Sequence, residues 1–203
     1  LNPRDAEAHK NLGIILYEQG RLKEAEESFK KAIVLKSNYA DAYSNLGNTL
    51  RQQGRITEAE ESFRKAINFE PNYAEAHSNL GNILREQGRL TEAEASYKKA
   101  IVLKPNFINA YSNLGVLLTD MGKLNESCAV FIKAINLNPY FTDAYANLGK
   151  AIKNVRFNSS NVKLYPIFIQ LLSNGNFVRP EDLASSICSL LKHDPLIKNL
   201  LLE

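Results

Sequence analysis

Apolar residues recur along this chain at the spacing that places them on one face of an α-helix. In the segment that begins at Ala40, the residues that share this face are Ala42, Tyr43, Leu46, Gly47 and Leu50. A second helix is predicted after Gly54, where the residues that share a face are Ile56, Ala59, Phe63, Ala66 and Ile67. Gly54 ends the first helix, because a residue without a Cβ atom readily adopts the left-handed conformation. The segment is therefore predicted to be a helical hairpin.

The pattern of this hairpin recurs along the chain with a period of 34 residues. Its first helix is marked by a Leu-Gly pair that follows asparagine: Leu12-Gly13, Leu46-Gly47, Leu80-Gly81, Leu114-Gly115 and Leu148-Gly149. Glycine also stands at the matching turns: Gly20, Gly54, Gly88 and Gly122. A fixed period of this length is typical of a solenoid, whose units stack to bury a continuous core and to present an extended binding surface.

The period divides the chain into segments. Residues 1–5 are predicted to end a preceding repeat, and the full repeats are 6–39, 40–73, 74–107 and 108–141. Residues 142–157 are predicted to be the first helix of a partial fifth repeat, and 158–203 to be non-repeat capping helices. Leu1-Asn2-Pro3 matches Leu137-Asn138-Pro139, so we expect this chain to be part of a longer array.

Aligning the repeats predicts three details of packing. Asn72 followed by Glu75 predicts a side-chain cap at the start of the third repeat. Tyr43 and Phe63 are predicted to fill the space between hairpins. Ser127 replaces the alanine of the other repeats, and we expect this replacement to have little consequence.

The segment after the repeats predicts helices of a different kind. After a polar turn at 158–161, the residues that form an apolar face are Leu164, Ile167, Phe168, Leu171 and Leu172. A second helix is predicted from Pro180, since proline suits the first helical position, and a third near Pro195. We expect these helices to cover the exposed edge of the last repeat, because the terminal units of a solenoid need a cap.

Composition and charge exclude several classes of function. The chain is 44% hydrophobic with a formal net charge of +3, and its basic residues are interleaved with acidic ones, so we expect no nucleic-acid partner. Apolar runs are too short to span a bilayer, which predicts no membrane partner and a cytoplasmic location. Cys128 and Cys188 lack the spacing of a zinc site, and His9 and His77 stand where other repeats have tyrosine. We therefore expect no metal, no cofactor and no catalytic group.

Certain residue types stand at fixed positions within each repeat, and they identify a family that the chain resembles. In the third repeat the matching residues are His77, Leu80-Gly81, Leu84, Ala93, Tyr97, Ala100 and Pro105. With these residues the chain resembles the tetratricopeptide repeat family, from its first residue to about residue 154. The resemblance implies an all-α, right-handed superhelix whose first helices line a concave groove that binds peptides or extended partner segments.

Polar residues of the first helices are the predicted groove contacts. One asparagine recurs in every repeat as a ladder: Asn11, Asn45, Asn79, Asn113 and Asn147. Beside it stand Asn48, Asn82, Ser44, Ser78, Ser112, Arg51 and Arg85. A carboxamide both donates and accepts hydrogen bonds, so the ladder is suited to an extended peptide backbone; it is similar to the ladder in O-linked N-acetylglucosamine transferases. The arginines would bind acidic side chains of a partner, or are simply solvated charges. The alternative for the asparagines is that they only solvate the groove.

We therefore predict a non-catalytic module that binds a protein or a peptide, with self-association left open. Two alternatives use the same array differently. One is the substrate-recognition arm of a larger methyl- or glycosyltransferase, because residues 163–166, 176–182 and 190–195 resemble the region after the repeats in large bacterial proteins that carry a transferase domain. The other alternative is a structural assembly scaffold.

Overall fold

A computed structural model describes residues 5–153, 165–173 and 180–194. In these ranges the chain is all-α, as predicted, and forms the helices α1 (Ala6–Glu18), α2 (Leu22–Leu35), α3 (Ala40–Gln52), α4 (Ile56–Phe69), α5 (Ala74–Glu86), α6 (Leu90–Leu103), α7 (Ile108–Asp120), α8 (Leu124–Leu137), α9 (Thr142–Ile152), α10 (Tyr165–Ser173) and α11 (Pro180–Leu191). The chain divides into two compact units, Leu1–Pro105 and Asn106–Glu203. Each unit has its own core, and we describe them in turn.

The first unit consists of three helical hairpins, α1 with α2, α3 with α4, and α5 with α6. Helix α2 also packs against α3, and α4 against α5. Gly54 takes the predicted left-handed conformation, with φ of 78°, after α3 ends at Gln52. The turn is closed by two backbone hydrogen bonds, from the Gly54 N–H to the Arg51 carbonyl and from the Arg55 N–H to the Leu50 carbonyl, each 2.9 Å long.

An aromatic ring packed on glycine holds each hairpin together. A Cβ atom added to Gly47 would lie 2.8 Å from the ring of Phe63, which is fully buried on α4. The absence of a side chain at Gly47 therefore allows the two helices to approach closely. The predicted position of the aromatic residues is wrong in part, since Phe63 packs on Gly47 within its own hairpin. Tyr43 likewise stacks on Phe69 of that hairpin, with 5.5 Å between ring centroids.

The predicted side-chain cap at the third hairpin is also wrong. Helix α5 begins at Ala74, but its N-cap residue is Tyr73 and no side chain caps it. The Tyr73 N–H donates to the Glu70 carbonyl (3.1 Å), so Asn72 lies inside a closed turn, one residue too early to be the cap. The Glu75 carboxylate instead binds the ammonium group of Lys104 at 2.6 Å.

In the second unit, α7 and α8 form a hairpin, α9 packs on both, and the tail helices cover α9. The buried residues that join the tail to α9 are Tyr145, Leu148, Ile152, Ile167, Phe168, Leu171 and Leu190. The Ser186 hydroxyl donates to the Ile152 carbonyl and so satisfies the end of α9. The predicted capping role and the predicted start at Pro180 are thus confirmed. The predicted turn at 158–161, Leu164 and the helix near Pro195 lie outside the described residues.

Ser127 has a structural role that the sequence did not indicate. Its side chain is fully buried, and its hydroxyl donates to the Gly115 carbonyl of α7 at 2.8 Å. It also shares a hydrogen bond of 2.7 Å with the Thr119 hydroxyl. The expectation that this replacement has little consequence is therefore wrong, because serine joins α7 to α8 by hydrogen bonds that alanine lacks.

We expect Ser127→Ala to lower the free energy of unfolding by about 1 kcal/mol, since the hydrogen bonds to Gly115 and Thr119 disappear while alanine fits the space. Alanine stands at the equivalent positions Ala25, Ala59 and Ala93, so no steric cost is expected. Urea denaturation measures the change, with Ser185→Ala, an exposed serine of the same unit, as the control. Equal stability of both variants would contradict the bonding role of Ser127.

Candidate functional site

The predicted asparagine ladder lies on the first helices of the hairpins. In the first unit, Asn11 on α1 is exposed, while Asn45 on α3 and Asn79 on α5 are partly exposed. In the second unit, Asn113 on α7 and Asn147 on α9 are partly exposed as well. The carboxamides of Asn45 and Asn79 therefore occupy the same place on successive hairpins and reach the surface, which is the placement that a peptide contact requires.

A polar pocket in the first unit brings three successive first helices together. It has a volume of about 330 Å³ and is lined by Tyr17 of α1, by Asn48, Arg51 and Gln52 of α3, and by Glu86 of α5. Asn48 and Arg51 belong to the predicted contacts, whereas the other three residues were missed. The repeat period could have found them, because Tyr17 stands at the repeat position of Arg51 and Glu86 at that of Gln52.

An ion pair across two hairpins crosses this pocket. The Arg51 Nε donates to the Glu86 carboxylate at 2.7 Å, and the Nη2 lies 2.5 Å from the same oxygen. The two side chains are 43% and 37% exposed, and exposed pairs of this kind contribute about 1 kcal/mol or less. Arg51 is therefore held in place by Glu86, and the interaction is weak enough for the carboxylate of a ligand to replace it. Arg85, the other predicted arginine, is exposed near the end of α5.

The predicted serine contacts need correction. Ser44, Ser78 and Ser112 are only 3%, 3% and 8% exposed, so their hydroxyls present almost no surface to a ligand. Successive helical residues are rotated by about 100°, which turns each serine away from the surface that its neighbouring asparagine reaches. Ser44 lies near Tyr73, whose pKa is raised by burial and by the carboxylate of Asp41.

Asn82 also has a partner inside the protein. Its side-chain carbonyl accepts a hydrogen bond from the Tyr97 hydroxyl at 2.8 Å. Phe63 stands at the equivalent place in the second hairpin and has no hydroxyl, so Asn48 receives no such bond. Of the two additional asparagines, Asn48 is therefore the better candidate for binding a ligand.

A larger crevice of the first unit lies elsewhere, between α2 and the turn at residues 53–55. Its volume is about 770 Å³, and its central carboxylate is Glu26, whose side chain is 11% exposed. Glu26 accepts hydrogen bonds from Lys30 (2.6 Å), Gln53 (3.1 Å) and Arg55 (2.8 Å). Burial alone would raise the pKa of Glu26, but these donors lower it to about 2. Because its charged groups bind one another, we interpret this crevice as a joint between hairpins.

The joint is repeated one hairpin later and was missed in the sequence. Glu60 accepts from Gln87 at 2.8 Å and from Arg89 at 2.8 and 3.0 Å. The signal was present, since Gln-Gly-Arg recurs at residues 53–55 and 87–89, and each follows a glutamate of the preceding second helix. In the described parts of the chain, no helix has both the length and the apolar character needed to cross a membrane.

Models of repeat families match most of the repeated part of the chain. A model described as TPR repeat matches residues 14–50, 47–84 and 81–122, and one described as Tetratricopeptide repeat matches 108–141. These matches together cover more than half of the 203 residues. The chain belongs to the tetratricopeptide repeat family. Tetratricopeptide repeats are typically modules of protein and peptide interaction and are generally not catalytic.

Solved structures agree with the fold of this tetratricopeptide repeat chain. YrrB, a TPR protein with an unusual peptide-binding site, is 24% identical with a TM-score of 0.64, over 87% of this chain and 91% of YrrB. MamA is 24% identical with a TM-score of 0.69, over 84% and 92%. The pilF protein of Pseudomonas aeruginosa is 21% identical with a TM-score of 0.73, over 96% and 91%. At these identities the likeness shows the fold alone.

No curated protein matches this chain. The predicted likeness to O-linked N-acetylglucosamine transferases and the predicted downstream transferase therefore stay predictions from sequence resemblance.

Proposed function

We propose that the first-helix face of this chain binds an extended peptide or an extended segment of a partner protein. The observation that carries the proposal is the pocket at Asn48 and Arg51, because three successive first helices contribute to it. A ligand that lies across those helices contacts Tyr17, then Asn48 and Arg51, then Glu86. Such a path suits an extended chain better than a compact small molecule.

The asparagines have the chemistry for the backbone of such a ligand. The carboxamides of Asn45, Asn48 and Asn79 each offer donors and an acceptor, which match the carbonyl and N–H groups of a peptide. Backbone contacts of this kind tolerate many ligand sequences. Selectivity then comes from Arg51 and Glu86, which are suited to an acidic and a basic side chain respectively once their own ion pair opens.

The proposal is tested with a variant that carries Asn45→Ala, Asn48→Ala and Asn79→Ala. We expect the native chain to retain partner proteins from a cell lysate and the variant to lose them, as measured by mass spectrometry. A peptide from a retained partner is then expected to bind the variant about tenfold more weakly than the native chain, as measured by fluorescence anisotropy. The reason is that several hydrogen bonds between neutral groups are removed.

A matched control carries Asn38→Ala, Asn125→Ala and Asn136→Ala, three exposed asparagines outside the first helices. This control is expected to bind as the native chain does. Partners retained equally by the native chain and both variants would overturn the proposal. Light scattering of the purified chain measures its molecular mass and so tests the scaffold alternative. That alternative requires the native chain to self-associate and the Asn45→Ala, Asn48→Ala, Asn79→Ala variant to lose this association.

A further inference from the structure

We propose a second binding site, separate from the first-helix face, for a peptide segment in which acidic and apolar side chains alternate. The site is a crevice of about 440 Å³ formed by α4, α5 and α6 of the first unit. Ile67 of α4 and Leu80 of α5 provide its apolar surface, and Arg64 and Lys99 provide its positive charge. This combination fits a ligand that presents a carboxylate beside an apolar group.

Comparison with the second hairpin explains why the crevice is open. In that hairpin Tyr43 stacks on Phe69, and the ammonium group of Lys65 lies 5.8 Å from the centroid of the Tyr43 ring. In the third hairpin the equivalents of Tyr43 and Phe69 are His77 and Leu103, which are smaller. The His77 Nε2 lies 3.0 Å from the Pro71 carbonyl, so the imidazole ring is held by its own turn. The smaller side chains leave space beside Lys99, the equivalent of Lys65.

A second replacement makes the crevice positive. Ala95 lines it at the position where the first two hairpins have Glu27 and Glu61, so a carboxylate is missing here. Lys99 is exposed and has no ion pair within the described part of the chain. Arg64 also lines the crevice; it binds Glu60 at 2.8 Å and lies 3.8 Å from Glu92, and neither of these carboxylates lines the crevice.

The remaining lining groups favour a peptide over a simple anion. Asn68 and Ser96 offer hydrogen bonds at the edge of the crevice, where a peptide backbone would pass. An inorganic anion would leave Ile67 and Leu80 uncovered, and two cations are too few for the long phosphate track of a nucleic acid. An acidic and apolar peptide uses every part of the lining.

The test uses residues that neighbouring hairpins already contain. His77→Tyr restores the large ring of Tyr43 and fills the crevice, whereas Ala95→Glu restores the carboxylate of Glu61 and repels an acidic ligand. The probe is a short fluorescein-labelled peptide of alternating glutamate and leucine, titrated with the native chain and followed by anisotropy. We expect each substitution to weaken binding of this probe about tenfold and to leave the melting temperature unchanged. A probe of alternating lysine and leucine is expected to bind neither the native chain nor the two variants.

Two further measurements locate the probe. In amide NMR spectra of the native chain, the glutamate and leucine probe is expected to shift the signals of Ser96 and Lys99. Shifts at Asn45 and Asn79 instead, or equal affinity of the native chain, His77→Tyr and Ala95→Glu, would overturn the site. The triple asparagine variant of the first-helix face is expected to bind this probe normally, so failure of one proposal is distinguishable from failure of the other.

Discussion

Gly81→Leu is expected to lower the free energy of unfolding by about 3 kcal/mol or more, whereas Asn79→Ala is expected to change it by about 0.5 kcal/mol or less. A Cβ atom at Gly81 would lie 2.6 Å from the Tyr97 ring. That ring is fully buried, and its hydroxyl donates a hydrogen bond to Asn82, so the ring cannot move away from an added side chain. Leucine therefore forces α5 and α6 apart.

Urea denaturation of both variants measures the difference. Asn79→Ala is a suitable control because it changes a partly exposed side chain only two residues away on the same helix. The damage from Gly81→Leu should spread to the adjacent hairpins, since each repeat of a solenoid is stabilised mainly by its neighbours. Equal losses of stability in the two variants would contradict the division between packing positions and ligand-facing positions.

Glu26→Gln is expected to lower the free energy of unfolding at pH 7 by about 1 to 2 kcal/mol. A pKa lowered from 4.5 to about 2 corresponds to about 3 kcal/mol, and solvent screening at Lys30 and Arg55, which are 56% and 36% exposed, reduces this value. The folded-state pKa is below the unfolded one, so the stabilisation is complete above pH 4.5. It is lost as the pH falls from 4.5 towards 2.

Unfolding measured by urea across this pH range checks the prediction. The native chain and Glu26→Gln should differ most at neutral pH and converge as the pH approaches 2. Glu27→Gln is the matched control, because Glu27 is the next residue of α2 and is exposed. A Glu26→Gln chain with the same stability and the same acid dependence as the native chain would refute the role of Glu26 in the joint between hairpins.

Helix positions were predictable because they depend on neighbours in sequence. The spacing of apolar residues around Leu46 and the glycine at residue 54 determine α3 and its end, and the structure agrees with both. The predicted cap at Asn72 was wrong because of a local contact: the Tyr73 N–H donates to the Glu70 carbonyl and places Asn72 inside the turn.

The candidate site was predictable only in part. The repeat period identified Asn45, Asn48 and Arg51 as positions on one face, because equivalent residues of stacked units point in the same direction. It did not reveal that Asn82 is bound to Tyr97, because that contact depends on a hydroxyl that Phe63 lacks. The burial of the serines beside the ladder was also missed, although helical rotation alone would have indicated it.

By itself, the sequence determined the helices, the hairpins and the family, because each rests on patterns shorter than one repeat or on their repetition. Only the tertiary structure decided which charges bind one another. Arg51 meets Glu86 across 35 residues, and Arg55 meets Glu26 across 29, so each pair joins residues of different repeats. The tertiary structure also decided that a crevice opens beside His77, whereas Tyr43 stacks on Phe69 at the equivalent place. These features depend on how neighbouring helices stack, since their residues meet only after the hairpins have packed together.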